Sequence, residues 1–339
     1  NAGTDYTATE SVDNKNYKIR TSEETTTFTI SPKTITESMI SLDQADKNYV
    51  VTGGTITPVV TVKDGAAILT AGEDKEYVLS GQTDHAQYGT HTITVTGKGN
   101  YTGSVNVAWN ITDPYAPSGT IAIVSKTWNS FPASTAFGYF FKEAQQVTFQ
   151  ATDGSQESGV DKVYYCKSLT ALTTMEQLAD VTWTEIENGR DITIAPNENV
   201  FIYAKITDKA GNATYLASDG MVVYTDAAQV TESISFTKTS KADVPASVAL
   251  NGNTIKEIML GDTTLVKDRD YTISEDGGTI TFYASFLQTL AASDTAYTLT
   301  VSYNPGGKTF VEAAGNVSPL DTTIALTVEK AEGSLKNIS

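Results

Sequence analysis

A single cysteine, Cys166, stands in 339 residues, which excludes an internal disulfide framework and any cysteine-based zinc site. Histidine is nearly as scarce, with only His85 and His91. Serine or cysteine nucleophiles need a base within hydrogen-bond reach, and a metal centre needs clustered ligands. Two lone histidines with no adjacent carboxylate pattern promise neither. Positive charge is thin: 23 Lys and Arg face 40 Asp and Glu, for a net charge of −17. Cations this scattered do not neutralise a phosphate backbone, so nucleic acid and anionic membranes are not expected partners. No run of about 18 apolar residues occurs, so no membrane insertion is expected. A basic start followed by an apolar core is also missing, and no signal peptide is read. The abrupt start and finish lead us to expect a piece of a longer protein.

What is present belongs to a folded chain. Hydrophobic residues make up 40% and charged residues 19%, enough apolar material for packed cores and too little charge for a disordered chain. The length exceeds what one core usually serves, so several domains are expected. The dominant periodicity is two. Val105, Val107, Trp109 and Ile111 alternate with Asn106, Ala108 and Asn110, and Val147, Phe149 and Ala151 alternate with Thr148 and Gln150. Val200, Ile202, Ala204 and Ile206 alternate with Phe201, Tyr203 and Lys205, which places Tyr203 outward. Leu299, Val301 and Tyr303, then Ile324, Leu326 and Val328, close the series. Such alternation is that of strands with one buried face. Asp64-Gly65, Asn251-Gly252, Asp276-Gly277-Gly278 and Asn304-Pro305-Gly306-Gly307 supply turns between them, and short strands so spaced indicate sandwiches or barrels. Helical spacing is confined to Leu172, Met175 and Leu178, and to a capping-box pattern of Ser285 with Gln288.

Two linkers divide the chain: Asp113-Pro114-Tyr115-Ala116-Pro117, where proline interrupts pairing twice, and the apolar-poor join from Thr225 to Gln229. The expected segments are 31–113, 114–226 and 227–331, with 332–339 as a linker. Residues 1–30 read as a partial repeat or an N-terminal hairpin. Gly3-Thr4-Asp5-Tyr6, Lys15-Asn16-Tyr17 and Phe28-Thr29-Ile30 parallel Gly72-Glu73-Asp74, Gly99-Asn100-Tyr101 and Trp109-Asn110-Ile111.

Three resemblances follow from particular residues. Pro58 to Gly65, with Gly97-Lys98-Gly99-Asn100-Tyr101-Thr102-Gly103, resembles immunoglobulin-like repeats of surface proteins in Gram-positive gut bacteria. The glycine-bearing stretch joins two strands and lacks the helix N-terminus of a phosphate loop. Ser158-Gly159-Val160 after Asp153, with Thr207-Asp208-Lys209-Ala210-Gly211-Asn212, resembles another bacterial immunoglobulin-like repeat. Ala242-Asp243-Val244, Leu250-Asn251-Gly252-Asn253-Thr254-Ile255, Leu265, Asp270-Tyr271-Thr272-Ile273-Ser274 and Phe286-Leu287-Gln288-Thr289-Leu290 resemble the X-two module of cellulosomal and secreted bacterial proteins. This third segment departs where the stretch before its last strand expands into Asn304 to Thr322. The resemblances imply an all-β chain of three tandem immunoglobulin-like β-sandwich domains, elongated. They imply spacer, adhesion or weak glycan-binding roles, and an extracellular place on a bacterial surface or in secretion.

Few residues invite chemistry. No catalytic, cofactor-binding or metal residue is assigned, and no cofactor is expected. Glu73, Asp74, Asp268, Asp270 and Glu275 read as solvated surface acids rather than a glycosidase pair. Calcium is considered for Asp153 and Asp208, whose spacing lacks dense oxygen ligands; Asp208 reads first as the cap of its own turn. His91 shares the buried register of Ile93 and Val95, Cys166 reads as a small strand hydrophobe, and Trp109 reads as core. Trp128 and Trp183 are compatible with packing or with stacking on a sugar. Asn100, Asn110, Asn212 and Asn316 have glycosylation spacing. The expected function is a non-catalytic spacer or adhesion array. The alternative makes 227–331 a carbohydrate- or cell-wall-binding module attached to a polysaccharide-degrading enzyme. Glycans, cell wall or host surface proteins are the expected partners of a monomer.

Overall fold

Alternation along Ser104–Thr112 sets the pattern of the molecule: Val107, Trp109 and Ile111 are buried, while Asn106 and Ala108, just ahead of Val107 and Trp109, are exposed. The computed structural model describes residues 2–8, 26–132 and 134–331. Packing divides the chain into two compact units. One comprises Asn1–Pro117 with Thr152–Asp161 and Asp208–Asn212. The other comprises Ser118–Ala151, Lys162–Thr207 and Ala213–Ser339.

In the first unit one sheet runs Asn48–Val50, Ser104–Thr112, Gly89–Gly97, Tyr77–Gly81, and a smaller one Ile40–Leu42, Val60–Asp64, Ala67–Ile68. Their facing sides form one core around Trp109, Ile93, Val95 and Val62. The indole N–H of Trp109 donates to Gln82 O at 3.0 Å, so the largest core side chain keeps its polar atom satisfied. Gly3–Ala8 and Thr26–Ile30 pair with each other as a separate two-stranded sheet. Lys15, Asn16 and Tyr17 of the partial-repeat reading lie outside the described residues.

The second unit carries two further sheet pairs. In the later one, a sheet ordered Ala228–Gln229, Val244–Ala249, Thr279–Phe282, Tyr271–Ile273 faces a sheet ordered Ser233–Thr237, Thr322–Glu329, Ser293–Asn304, Thr254–Leu260, Thr263–Thr264. Ser233–Thr237 is parallel to the last strand, and the other pairings are antiparallel. A chain crossing between two sheets in this order is an immunoglobulin-like sandwich. The earlier pair has the same plan: Lys126–Trp128, Ser118–Ile123, Gln145–Thr152, Asp191–Ile194 in one sheet, and Phe137–Phe141, Gly220–Val223, Glu198–Asp208, Val160–Ser168, Thr184–Ile186 in the other. Again the first strand of the larger sheet lies parallel to the last. The chain is therefore a tandem of immunoglobulin-like sandwiches.

Two expectations need correction here. Tyr203 is buried, not outward, because Glu198–Asp208 is covered on both faces: Val200 through Ala204 are all buried. The outer face carries a second cluster of Cys166, Phe201, Tyr203 and Ala217, roofed by Leu172, Leu178, Val181 and Trp183 from the following connection. Tyr203 Oη accepts the Leu172 amide at 2.6 Å, which holds that roof down. The capping box also lies elsewhere. Thr174 and Gln177 form it ahead of the helix Met175–Ala179, whereas the turn Ala284–Leu287 begins after Tyr283 with no side-chain cap from its own N-cap residue. Asp243, distant in sequence, accepts the Ala284 amide instead at 2.8 Å.

The expanded stretch from Asn304 to Thr322 docks within the second unit. Asn316 Oδ1 accepts the Phe140 amide at 3.0 Å, and its Nδ2 donates to Gly138 O at 2.7 Å and Val311 O at 2.8 Å. The Val317 amide donates to Phe140 O at 3.0 Å, and the Tyr224 hydroxyl to Val317 O at 2.6 Å. Phe310 packs edge-on to Phe140 at 5.2 Å, and Lys308 Nζ sits 4.6 Å from the Phe137 ring centre. The stretch thus satisfies polar groups along the edge strand Phe137–Phe141, an edge otherwise open to foreign strands.

Candidate functional site

A recess of about 580 Å³ opens on the last sandwich. It is lined by Leu260, Leu265, Phe286 and Leu290 on its apolar side, and by Thr263, Ser285, Thr289, Arg269 and Asp270 on its polar side. Local turns place these groups. Gly261, at a φ of 57°, reverses the chain between Leu260 and Thr263. The Leu265 amide then returns to Ile258 O at 2.8 Å, which brings Leu265 inward. The connection after it is closed by Asp270, whose Oδ2 accepts the Val266 amide at 2.8 Å. The turn Ala284–Leu287 buries Ala284 and Leu287 and leaves Phe286 half-buried against the core.

Asp270 was expected at the surface, yet it is 6% exposed. Arg269 grips it with both arms of its fork, Nε to Oδ1 at 2.9 Å and Nη2 to Oδ2 at 2.7 Å. Its guanidinium holds the Asp270 carboxyl below the usual carboxylate range, against an opposing push from burial. Arg269 itself remains largely exposed, so its remaining donors face solvent beside an apolar floor. An apolar patch ringed by a few fixed donors and acceptors suits a ligand with C–H faces and many hydroxyls.

Residues 229–312 match the family model of carbohydrate binding domain X2. Every residue lining the recess falls inside this X2 segment. The chain is also 28% identical over 244 residues to cellulose-binding protein A of Clostridium cellulovorans, a match covering 65% of this chain and 13% of that protein. Among solved structures, the tri-modular endo-β-1,4-glucanase B of Bacillus halodurans aligns at 18% identity over 32% of this chain and 18% of its own, with a TM-score of 0.25. An I-band fragment of titin aligns at 8% identity over 86% and 99%, with a TM-score of 0.39.

Outside the X2 segment the singled-out residues disperse. His91 is buried, its ring 4.0 Å from that of His85 and 4.9 Å from Trp109. The two histidine rings stack. Burial lowers the pKa of His91, and its Nε2 meets Gln87 O at 2.9 Å. Trp128 is buried and donates to Asp219 Oδ2 at 3.0 Å, while Trp183 is half-buried near Tyr215. Neither indole is a free platform for a sugar. Cys166 is buried with its thiol pushed up to about 11, and Lys167 pairs instead with Glu198 at 2.9 Å. The side-chain amides of Asn212 and Asn316 are spent in hydrogen bonds to backbone carbonyls.

Asp153 and Asp208 do not share a site. Asp208 is saturated by Asn212, whose backbone and side-chain nitrogens donate to its two oxygens at 2.8 Å each. Asp153 stands with Asp113 and Glu157, one ligand oxygen from each lying within 4.8 Å of the others. Burial, and then the Glu157 carboxyl beside it, push the Asp153 carboxyl above its usual range. Asp113 escaped sequence reasoning because it reads as a linker residue, far in sequence from Asp153 and Glu157. Glu157 carried no signal at all.

Proposed function

We propose that this chain is a non-catalytic, extracellular part of a bacterial polysaccharide-degrading protein, and that it holds a glycan chain at the X2 segment. The observation that carries the reading is the recess itself: an apolar floor of Leu260, Leu265, Phe286 and Leu290 beside Thr263, Ser285, Thr289 and the Arg269–Asp270 pair. A pyranose ring would lay its C–H face on Phe286 while its hydroxyls met the Arg269 donors and the Asp270 carboxylate. The family match over 229–312 and the similarity to a cellulose-binding protein support the same reading. Depletion of the full chain from solution by insoluble cellulose, chitin and peptidoglycan tests it. Binding to at least one that falls about tenfold or more in both R269A and F286A is the expected result; undiminished binding in both variants would refute the assignment.

A second reading, a spacer that carries neighbouring modules, is favoured by the docked stretch from Asn304 to Thr322. It spends its polar groups on the edge strand Phe137–Phe141 rather than on a ligand surface. A spacer leaves all three polysaccharides unbound.

A further inference from the structure

The described residues contain one group of three acidic side chains close enough to share an ion, Asp113, Asp153 and Glu157. All three lie in the first unit. None of the ion pairs formed among the described residues involves them. Like charges this close repel one another, and hydrogen bonding alone does not cancel that repulsion.

A second, separate feature lies in the same turn. Ser158 is only 7% exposed, its amide donates to Asp113 Oδ2 at 2.8 Å, and its hydroxyl has no partner. The amide contact places that oxygen within about 6 Å of the Asp113 carboxylate. Asp153 Oδ1 and Gln156 Oε1 are likewise shielded from solvent and unpartnered. Buried oxygens without donors are rare and costly, and three of them occur within six residues of a carboxylate cluster. Each can accept, and the Ser158 hydroxyl can donate as well. What is missing is positive charge.

We propose that Asp113, Asp153 and Glu157, with the buried oxygens of Ser158 and Gln156, form a calcium site. The donor set is oxygen throughout, with no imidazole or thiolate to favour zinc or copper. Carboxylate oxygens that all lie within 4.8 Å of one another fit around one ion at a Ca–O distance of about 2.3–2.6 Å. A set of protein oxygens this irregular suits calcium, which takes about six to eight ligands in flexible geometry, better than magnesium, which demands a near-ideal octahedron and keeps most of its waters. The backbone arms the site beforehand: Glu157 Oε2 accepts the Gly154 amide at 2.8 Å, Asp153 Oδ2 the Gly159 amide at 2.7 Å, and Asp113 Oδ1 the Tyr115 amide at 3.0 Å. A recess of about 400 Å³, lined by Tyr115, Gln156 and Glu157 among others, gives an ion and its remaining waters access. The bound ion ties the segment Thr152–Asp161 to the end of the strand Ser104–Thr112.

Calorimetric titration of the full, chelator-stripped chain with CaCl2 tests this. One equivalent should bind with a dissociation constant of roughly 10⁻⁴–10⁻³ M, the range of extracellular modules. D153N and E157Q keep the oxygens that accept from Gly159 and Gly154, and each should weaken binding at least tenfold; E73Q should not. With chelator present, D153N and E157Q should melt at or above the parent temperature, because a like charge is gone. If the carboxylates served only as charge-assisted acceptors of the Gly159 and Gly154 amides, loss of the charge would lower it instead. Absence of saturable heat up to 10 mM CaCl2, equal affinity for Mg²⁺, or unchanged affinity in both variants would overturn the proposal; the first would mean that the carboxyls share a proton instead.

Discussion

Replacing Asn316 by alanine should release the docked stretch from the edge strand it covers. Two hydrogen bonds to Phe137–Phe141 are lost, the Phe140 amide to Oδ1 and Nδ2 to Gly138 O. At about 1 kcal/mol net for each bond they amount to about 2 kcal/mol. Phe140 is fully buried, so its orphaned amide raises the cost towards about 3 kcal/mol. For a body of 150–250 residues each kcal/mol shifts the melting temperature by about 2–4 °C, so a fall of roughly 5–10 °C is expected. Amide exchange reads the release directly. The Val317 amide is bonded to Phe140 O, and both it and the Phe140 amide should exchange roughly 30-fold faster for a loss of about 2 kcal/mol. N316D keeps the Oδ1 acceptor but sets a charge against the Gly138 and Val311 carbonyls, and should exchange as fast as N316A. Unchanged protection at Phe140 and Val317 in N316A would refute the reasoning, whatever happened to the melting temperature.

Two further outcomes follow from titration. Because Arg269 depresses the folded pKa of Asp270, the carboxylate adds stability above its unfolded pKa of about 3.9, and that stability is lost as pH falls through the lower folded value. D270N should therefore melt well below the parent at pH 6, with a gap that narrows as pH falls below about 3.9; a constant difference between pH 6 and pH 2.5 would contradict this. Burial holds the Cys166 thiol at about 11, leaving about one thiolate in a thousand at pH 8. An aromatic disulfide reagent should label it only at the rate of unfolding, and full labelling of the native chain within minutes would contradict that.

The strands were legible because each sandwich repeats one simple requirement, an apolar side chain at every second position. Trp109, Val147 and Leu326 obey it and are buried. The same rule misplaced Tyr203, since alternation reports one buried face and is silent when a connection covers the other. Leu172 and Trp183 form that cover from a stretch with no strand periodicity of its own. The cap at Ala284 was misassigned for a related reason. Local pattern favoured Ser285 with Gln288, while the acceptor that fills the role, Asp243, arrives through the tertiary fold. In the X2 segment the signature residues were readable, but not the recess, because Leu260, Arg269 and Phe286 meet only after two turns have closed. The group of Asp113, Asp153 and Glu157 was half visible: Asp153 drew notice, yet its partners come from a linker and a polar turn that no spacing connects.

Amide exchange of the full chain with and without a saturating soluble oligosaccharide of whichever polysaccharide retains it tests the central claim, that the X2 recess receives a sugar. Slowed exchange confined to the chain around Leu260–Asp270 and Ala284–Leu290 is what the account predicts. Ligand bound with protection confined to other strands, or no protection anywhere at saturating sugar, would contradict it.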